Sequence, residues 1–526
     1  MTPMSQAEIT QPAAGHLSRV ARAASLVMAL FIASRLLGVV REAVIARQFG
    51  TSADMDAYLA AFRLPDFLFY VVAGGALGSA FIPTFTGYLT RDDLPGAWRL
   101  ASAVINWVTL ILTALGSLAA IFAPWVVQTF FGEFSPAQQV LTAELMRWML
   151  IATVIFGVSG VVMGILNAHQ HFLLPALAPA VYNIAIILGA WFFGPTWGVR
   201  GLTAGVVAGA AAHLLVQTPG LIQHRLRYRP VLAAGEASLH EVGRLMAPRV
   251  LGLAAVQLNF MVNAILAAGL PAGSLTALNY GWIIMLLPQG VIAQSVATAL
   301  FPTLAALAAR GQQAEMRRIF AVTLRNLLFL TLPAAAGLLM LRAPLARLLE
   351  RGEFDAASTA LTAWALGFFA LGLVGHAVVE IVTRAFYALK NTKTPVAVGV
   401  AAMAINIGLS LLLLNLFARQ GWPPHGGLAL ANSIAVTLET ALLLALLRPL
   451  MGGLSEAGWT GSLGKTSLAT AGMAVTLWWL GPFLPTSPTW LGGLLGIAAG
   501  GAVYLGLAYL LGVDELRVVL RKARRR

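Results

Sequence analysis

The sequence predicts an all-α polytopic membrane protein with about 14 transmembrane helices, arranged as two parallel six-helix lobes followed by two C-terminal helices. The first supporting observation is composition, because 59% of the 526 residues are hydrophobic and only 10% are charged. Soluble domains contain about 25% charged residues. The second is a succession of apolar runs of the roughly 20 residues that a spanning helix needs, and the third is an internal duplication. Together these observations exclude a soluble protein.

Each predicted helix is an apolar run that ends at charged residues or at glycine and proline. In order, the spans cover residues 26–47, 56–89, 101–130, 141–166, 172–194, 201–221, 246–270, 275–307, 319–341, 358–388, 394–418, 426–447, 464–484 and 489–512. The chain then divides into a cytoplasmic tail (1–25), an N-lobe with helices 1–6 (26–221), a cytoplasmic linker (222–245), a C-lobe with helices 7–12 (246–450), helices 13 and 14 (451–513) and a basic cytoplasmic tail (514–526). The first tail lacks the apolar core of a signal peptide, so we expect it to be retained.

The distribution of basic residues predicts the orientation of the chain. Most Lys and Arg residues outside the spans fall on connections that face the same side as both termini. Those on the opposite side are Arg200, Arg342, Arg347, Arg351 and Arg419. Because Lys and Arg concentrate on cytoplasmic connections, we expect both termini in the cytoplasm of a bacterial inner membrane. The net charge of +14 then reflects contact with membrane lipids, and we expect no nucleic-acid partner.

The sequence also argues against an enzyme. It contains no cysteine, which excludes disulfides, thiolate metal sites and a cysteine nucleophile. Metalloprotease, P-loop and serine-hydrolase motifs are missing from the extramembrane segments. A glycosyltransferase would need an extramembrane loop with acidic metal ligands, and the longest internal one, about 222–245, offers only Glu236 and Glu241. We therefore expect neither catalysis nor a cofactor.

An internal repeat relates the two lobes. APWVVQTFFGEFSP begins at Ala123, and APLARLLERGEFDA begins 220 residues later at Ala343. With small gaps the match extends over six helices per copy and pairs Asn183 with Asn406. Because six is even, both copies enter the membrane in the same direction, as in transporters built from parallel repeats with a substrate path between the halves.

Ionisable residues inside the spans are concentrated in helices 1 and 2. Each costs about 2.5 to 3.5 kcal/mol on insertion scales, so such residues face a watery cavity or a partner. Helical geometry places Arg35 and Glu42 on one face and Arg41 about 120° away, unless the helix bends at Gly38. Two interpretations stay open: the arginines bind a diphosphate through their planar forks, or they neutralise Glu42 and Asp56 as interhelix pairs.

The candidate substrate-binding residues form one group on these two helices. They are Ser34, Arg35, Arg41, Glu42, Asp56 and Arg63. Their arginine excess favours an anionic substrate over a cationic drug. Other polar residues in the spans have structural interpretations, namely an i, i+4 pair for Glu380 and Arg384 and satisfied core positions for His213 and His376.

Several segments resemble the MurJ (MviN) family of lipid II flippases, a branch of the multidrug/oligosaccharidyl-lipid/polysaccharide exporter superfamily. They are ASRLLGVVREAVIARQFG from Ala33, MDAYLAAFRLPDFLF from Met55, GSAFIPTFTGYL from Gly78, LLPQGVIAQSVATALFPTLA from Leu286 and FYALKNTKTPV from Phe386. The resemblance covers roughly residues 26–450. It implies export of lipid II, the polyprenyl-diphosphate-linked peptidoglycan precursor, by alternating access, with the cell-wall synthesis machinery as a candidate partner.

The resemblance also implies roles for individual residues. Arg35 and Arg41 match the two helix 1 arginines that engage the head group, and Asp56 matches the helix 2 aspartate that assists closure. Helices 13 and 14 would hold the polyprenyl tail. Where many members carry an Arg and a Glu on helix 8, this chain has Ile283 and Leu286. The alternative function is transport of another polyprenyl-linked glycan.

Overall fold

A computed structural model describes residues 14–73, 76–453 and 459–517. Within these ranges the chain is almost entirely helical and contains no β-strand, so the predicted all-helical class is confirmed. Residues 1–13 of the predicted first tail and the basic end at 518–526 lie outside the described residues. Residues 14–25, also assigned to that tail, belong to the first helix.

The described residues form twenty α-helices in chain order. They are α1 (Ala14–Phe49), α2 (Ala53–Val72), α3 (Ala76–Leu89), α4 (Leu94–Ile121), α5 (Ala123–Phe130), α6 (Pro136–Ala168), α7 (Leu173–Leu188), α8 (Gly194–Trp197), α9 (Val199–Leu215), α10 (Thr218–Gln223), α11 (Ala237–Ala268), α12 (Ser274–Gln289), α13 (Ser295–Ala309), α14 (Gln313–Met340), α15 (Arg342–Ala346), α16 (Ala356–Ala388), α17 (Lys393–Arg419), α18 (His425–Leu450), α19 (Trp459–Leu480) and α20 (Thr489–Leu510). Single π-helical turns at Gly189–Phe193 and Gly290–Gln294 join α7 to α8 and α12 to α13.

The chain is a multi-span membrane protein. Of the helices in the described ranges, ten are long and apolar enough to cross a bilayer, and α11 makes an eleventh if its two arms, which meet at 47°, count as one span. The predicted number of 14 is therefore not confirmed. The first two predicted spans carry the densest charge, and the second of them is divided between α2 and α3.

The order of helices repeats along the chain. The 33-residue helix α6 begins at Pro136, and the 33-residue helix α16 begins 220 residues later at Ala356. Helix α7 begins at Leu173 and α17 at Lys393, which is the same spacing. The regular elements thus recur at the offset that the sequence repeat predicts.

The described residues divide into two compact units. The first contains 14–45, 65–73, 76–121 and 145–253, and the second contains 46–64, 122–144, 254–453 and 459–517. In the first unit the linker lies along α4. Asn106 and Trp107 of α4 donate hydrogen bonds to the carbonyls of Val231 and Leu232 at 2.8 and 2.9 Å. Side chains of α4 therefore hold the linker through its backbone.

The second unit has an apolar core and a buried ion pair. Its core joins α13, α14, α16 and α18 through residues such as Phe320, Phe386 and Leu443. Near the end of the described chain, the buried Glu515 pairs with Arg325 of α14 and accepts hydrogen bonds from the Ser462 hydroxyl at 2.7 and 2.8 Å. This pair fixes the C-terminal helices to α14, because a buried charge needs a hydrogen-bonded partner.

Candidate functional site

A polar network lies on α1 within the first unit. The Arg41 guanidinium forms an ion pair with the neighbouring Glu42, with its Nε 3.1 Å from Glu42 Oε1. Its Nη1 donates to Asn183 Oδ1 of α7 at 3.0 Å. The Arg41 side chain is 28% exposed and that of Glu42 is 15% exposed. The network offsets a charge that would be costly in a bilayer and leaves the Arg41 side chain partly exposed.

Asn183 connects two points of the same helix. Its Nδ2 donates to the Ser34 carbonyl oxygen at 3.3 Å, while its Oδ1 accepts from Arg41. Gly38 lies between these points, and a Cβ built there would lie 3.9 Å from Asn183 Nδ2. Ser34 and Asn183 are both buried. The contact is therefore made inside the protein, at a point where α1 presents no side chain.

Arg35 and Arg63 occupy different surroundings. Arg35 is exposed on α1 and takes part in none of the contacts of the Arg41 network. Arg63 is half-buried on α2 and belongs to the second unit. Of the candidate residues on α1, the structure therefore joins Arg41, Glu42 and the backbone of Ser34.

Asp56 lies in the second unit and is 3% exposed. Its carboxylate accepts hydrogen bonds from the backbone N–H of Gly273 at 2.6 Å and of Thr276 at 2.8 Å. The Thr276 hydroxyl donates to the same carboxylate at 2.6 Å. These backbone groups are the unpaired donors at the start of α12, so Asp56 caps that helix from a distant part of the sequence. Its partners are neutral groups rather than arginines.

A second set of contacts in the same unit joins the end of α1 to the repeated GEF motif. The backbone N–H of Glu353 donates to the Arg47 carbonyl at 2.8 Å, and the Thr51 hydroxyl donates to Ser358 Oγ at 2.9 Å. Phe354 is buried against Ala46 and the ring of Tyr280. We call residues 46–58, 273–280 and 350–358, which these contacts and those of Asp56 connect, the clasp.

Glycine is required at two points of the clasp. Gly352 has φ +61°, and a Cβ there would collide with the Arg47 carbonyl oxygen. Gly273 has φ +86°, and a Cβ there would collide with the Thr51 carbonyl oxygen. Both the left-handed conformation and the close backbone approach exclude larger residues. The two sequence copies therefore meet in the clasp along their backbones.

The polar residues given structural interpretations have internal partners. His213 lies 2.7 Å from the Ser159 hydroxyl, and His376 lies 3.0 Å from Asn432 Oδ1. Glu380 and Arg384 form the expected pair on α16 at 3.5 Å. Each of these side chains thus has a polar partner within the protein.

Three histidines meet at the ends of α6 and α10. The rings of His169 and His224 stack with centroids 4.2 Å apart, and His171 contacts His224 edge-on. In the part of the chain that the structure describes, no group of three or more His, Cys, Asp or Glu residues is arranged to hold a metal ion. Burial lowers the pKa of both His169 and His224, and each is also lowered by a neighbouring histidine. These groups are therefore neutral near pH 7.

Sequence reasoning missed Asn183, Gly273 and Thr276 as partners of the candidate residues. The repeat had marked Asn183 by its match to Asn406, and Gly352 by the GEF motif, but neither match indicated a contact. A neutral side chain in an apolar helix carries no charge signal, which is why these partners emerge only from the fold.

Known proteins are similar to this chain in sequence and in fold. The family model for lipid II flippase MurJ matches residues 45–494. A probable lipid II flippase MurJ of Vibrio cholerae is 29% identical over 94% of this chain and 97% of its own length. One from Rhizobium meliloti is 30% identical, with 94% of each chain covered.

Solved structures give the same assignment. A lipid II flippase MurJ in an inward closed conformation has a TM-score of 0.76 and 26% identity, covering 92% of this chain and 98% of that one. An inward-facing multidrug resistance MATE family transporter of the MOP superfamily has a TM-score of 0.67 at 15% identity, covering 80% and 94%, and so shares the fold. The chain therefore belongs to the MurJ family of lipid II flippases.

Proposed function

We propose that this protein moves lipid II from the cytoplasmic to the outer leaflet of the bacterial inner membrane, supplying the precursor for cell-wall synthesis. Membership of the MurJ family is the observation that carries this proposal. The substrate is a diphosphate-linked lipid, so its transport requires a cationic group accessible inside the protein. Both termini are proposed to lie in the cytoplasm, in keeping with the distribution of basic residues.

Arg41 is the residue best suited to hold the diphosphate. A guanidinium keeps its charge at all physiological pH values and matches phosphate oxygens with parallel N–H donors. Arg41 is partly exposed, and both Glu42 and Asn183 hold its guanidinium in one orientation. In this proposal the exposed Arg35 makes a second contact with the head group, while Ser34 and Glu42 lie beside Arg41 in the same unit and Glu42 offsets its charge. Arg63 stays a prediction from the sequence.

The clasp suits a transporter that works by alternating access. In the proposed orientation its residues lie toward the outer leaflet, so its contacts close the protein to the outside. Asp56 contributes most to the closure, since a buried carboxylate with three donors is costly to release. Transport then requires the clasp to open and close in each cycle.

The test combines complementation with transport in liposomes. R41A should fail to support growth of cells depleted of their own lipid II flippase, although its level in the membrane matches the wild type. R35A should show a smaller defect, and R419A, a change at an exposed arginine near the end of α17, should complement fully. Purified wild-type protein in liposomes should flip lipid II, and R41A should not. Full rescue by an R35A/R41A double variant would contradict the proposal.

A further inference from the structure

One contact recurs in both sequence copies with a change of chemistry. In the first copy Arg41 of α1 donates to Asn183 of α7, 142 residues later. In the second copy Asn263 of α11 donates to Asn406 of α17 at 3.2 Å, 143 residues later. The repeat pairs Asn183 with Asn406, and each of these asparagines accepts a hydrogen bond from the first long helix of its own copy. The donor is a cation in the first copy and a neutral amide in the second.

The two asparagines are used differently. Asn183 engages both ends of its amide, because Oδ1 accepts from Arg41 and Nδ2 donates to the Ser34 carbonyl. Asn406 accepts from Asn263 through Oδ1, whereas its buried Nδ2 has no hydrogen-bond partner among the described residues. An amide with both ends bonded cannot rotate without breaking a contact. Asn183 is therefore fixed in one orientation, and its acceptor points at Arg41.

We propose that Asn183 is a positioning residue that sets the affinity of the head-group site by fixing the Arg41 guanidinium. The proposal rests on the proposed function, since it assumes that Arg41 binds the diphosphate. A free arginine side chain loses rotamer entropy when it is immobilised by a ligand. Asn183 contributes to that ordering before the lipid arrives, together with Glu42, so less binding free energy is lost.

The same comparison shows that the two copies differ in the charge of the donor to this asparagine. In the second copy the donor to Asn406 is the amide of Asn263, which also donates to Asn259 Oδ1. Of these two contacts, only the one in the first copy therefore holds a cation for a diphosphate. The second copy keeps the amide contact as a packing element.

N183L and N406L form a matched pair of variants. Each replaces a buried asparagine with an apolar residue of similar size. N183L removes two hydrogen bonds to α1, and N406L removes one to α11. The experiment measures initial rates of lipid II flipping in proteoliposomes as the lipid II content increases. N183L should raise the half-saturating content about tenfold, the usual scale for losing a hydrogen bond to a charged group, with little change in maximal rate. N406L should leave the half-saturating content unchanged.

A double-mutant cycle separates positioning from a general loss of structure. If Asn183 acts through Arg41, N183L should have no further effect on half-saturation in an R41K background in which the guanidinium is already absent. N183D is the second variant in case N183L does not fold, because aspartate keeps an oxygen that accepts from Arg41. The added carboxylate should compete with the diphosphate for Arg41, so N183D should also raise the half-saturating lipid II content.

The possible failures are distinguishable. If R41K leaves half-saturation unchanged, the assignment of Arg41 as the diphosphate ligand fails, and the inference fails with it. If R41K weakens binding but N183L and N183D do not, the function stands and the positioning role is wrong. The positioning role would also be wrong if N183L and N406L raised the half-saturating lipid II content equally. It would be wrong as well if N183L kept its full effect in the R41K background.

Discussion

Asp56 and Thr276 lie 220 residues apart, at equivalent positions of the two sequence copies, and they are bonded to each other. The Asp56 carboxylate accepts from both the backbone N–H and the hydroxyl of Thr276. The duplication has thus produced a carboxylate in one copy and its donors in the other. Each copy supplies what its counterpart lacks, so the contact depends on both.

D56N should weaken the clasp. Asparagine keeps the size of the side chain but loses the charge, and its amide group brings a donor toward the donors of Gly273 and Thr276. We expect the closed arrangement to lose about 2 kcal/mol. The reporter is A46C, a fully buried position in a chain without native cysteine. Labelling by a membrane-impermeant maleimide should accelerate in D56N but not in D54N, which changes an exposed neighbour. An unchanged labelling rate in D56N would contradict the role of Asp56.

G352A should loosen the clasp through backbone crowding. The added Cβ would meet the Arg47 carbonyl oxygen, and alanine at φ +61° also pays a conformational cost of about 1 to 2 kcal/mol. G421A is the matched control, because Gly421 has φ +71° and no atom near a built Cβ. G352A should therefore lower the thermal midpoint more than G421A and speed labelling of A46C. Equal effects of G352A and G421A would contradict the role of the close approach to Arg47, because the two sites share only the positive φ.

E42Q should raise the affinity for lipid II while lowering stability. The Glu42 carboxylate pairs with Arg41, so it competes with the diphosphate for the same guanidinium. Asn183 continues to orient that guanidinium when Glu42 is changed. Without the Glu42 carboxylate, we expect half-saturation at a severalfold lower lipid II content, and a loss of about 1 to 3 kcal/mol of stability because the charge of Arg41 is less well compensated. E380Q breaks another pair within a helix, that of Glu380 with Arg384, and should affect stability alone. Weaker binding by E42Q would contradict this account.

The stacked histidines should make stability depend on pH. Burial holds the pKa of His169 and His224 below the ordinary value of 6.5, so the folded state binds fewer protons than the unfolded state. Stability is then fully present above pH 6.5 and is lost as the pH falls toward the folded-state values. The thermal midpoint should drop between about pH 7.5 and about pH 5.5. H224F, which keeps the ring stacked, should reduce this drop, whereas H240Q, at an exposed histidine, should not. If H224F left the pH dependence of the thermal midpoint unchanged, the stacked histidines would not be its source.

The fold class and the charged centre of the site were accessible to sequence reasoning. Apolar runs identify spanning helices because the bilayer demands long stretches of them. Charges are so rare in the spans that Arg41 and Glu42 attract attention by themselves. Asp56 was also identified, but its donors were not. Two of them are backbone N–H groups at the start of a helix, and every residue except proline has such a group.

The partners of the charged residues depend on tertiary packing. Periodicity places Arg41 away from the face of Arg35 and Glu42, yet a long arginine side chain reaches its sequence neighbour Glu42 regardless of that angle. Asn183 is one of several neutral polar residues in the apolar helices, and only the packing of α7 on α1 selects it. Gly352 is prominent in the repeat, but its closeness to Arg47 follows from the path of two distant backbones.

Glu515 follows the last long helix, α20, and it pairs with Arg325 and accepts a hydrogen bond from Ser462. Stabilising contacts therefore continue beyond α20. A chain shortened after Gly512 would retain all twenty described helices and still leave the half-buried guanidinium of Arg325 without this counter-ion. The few residues that follow α20 therefore act as an anchor, and a fusion partner belongs beyond them.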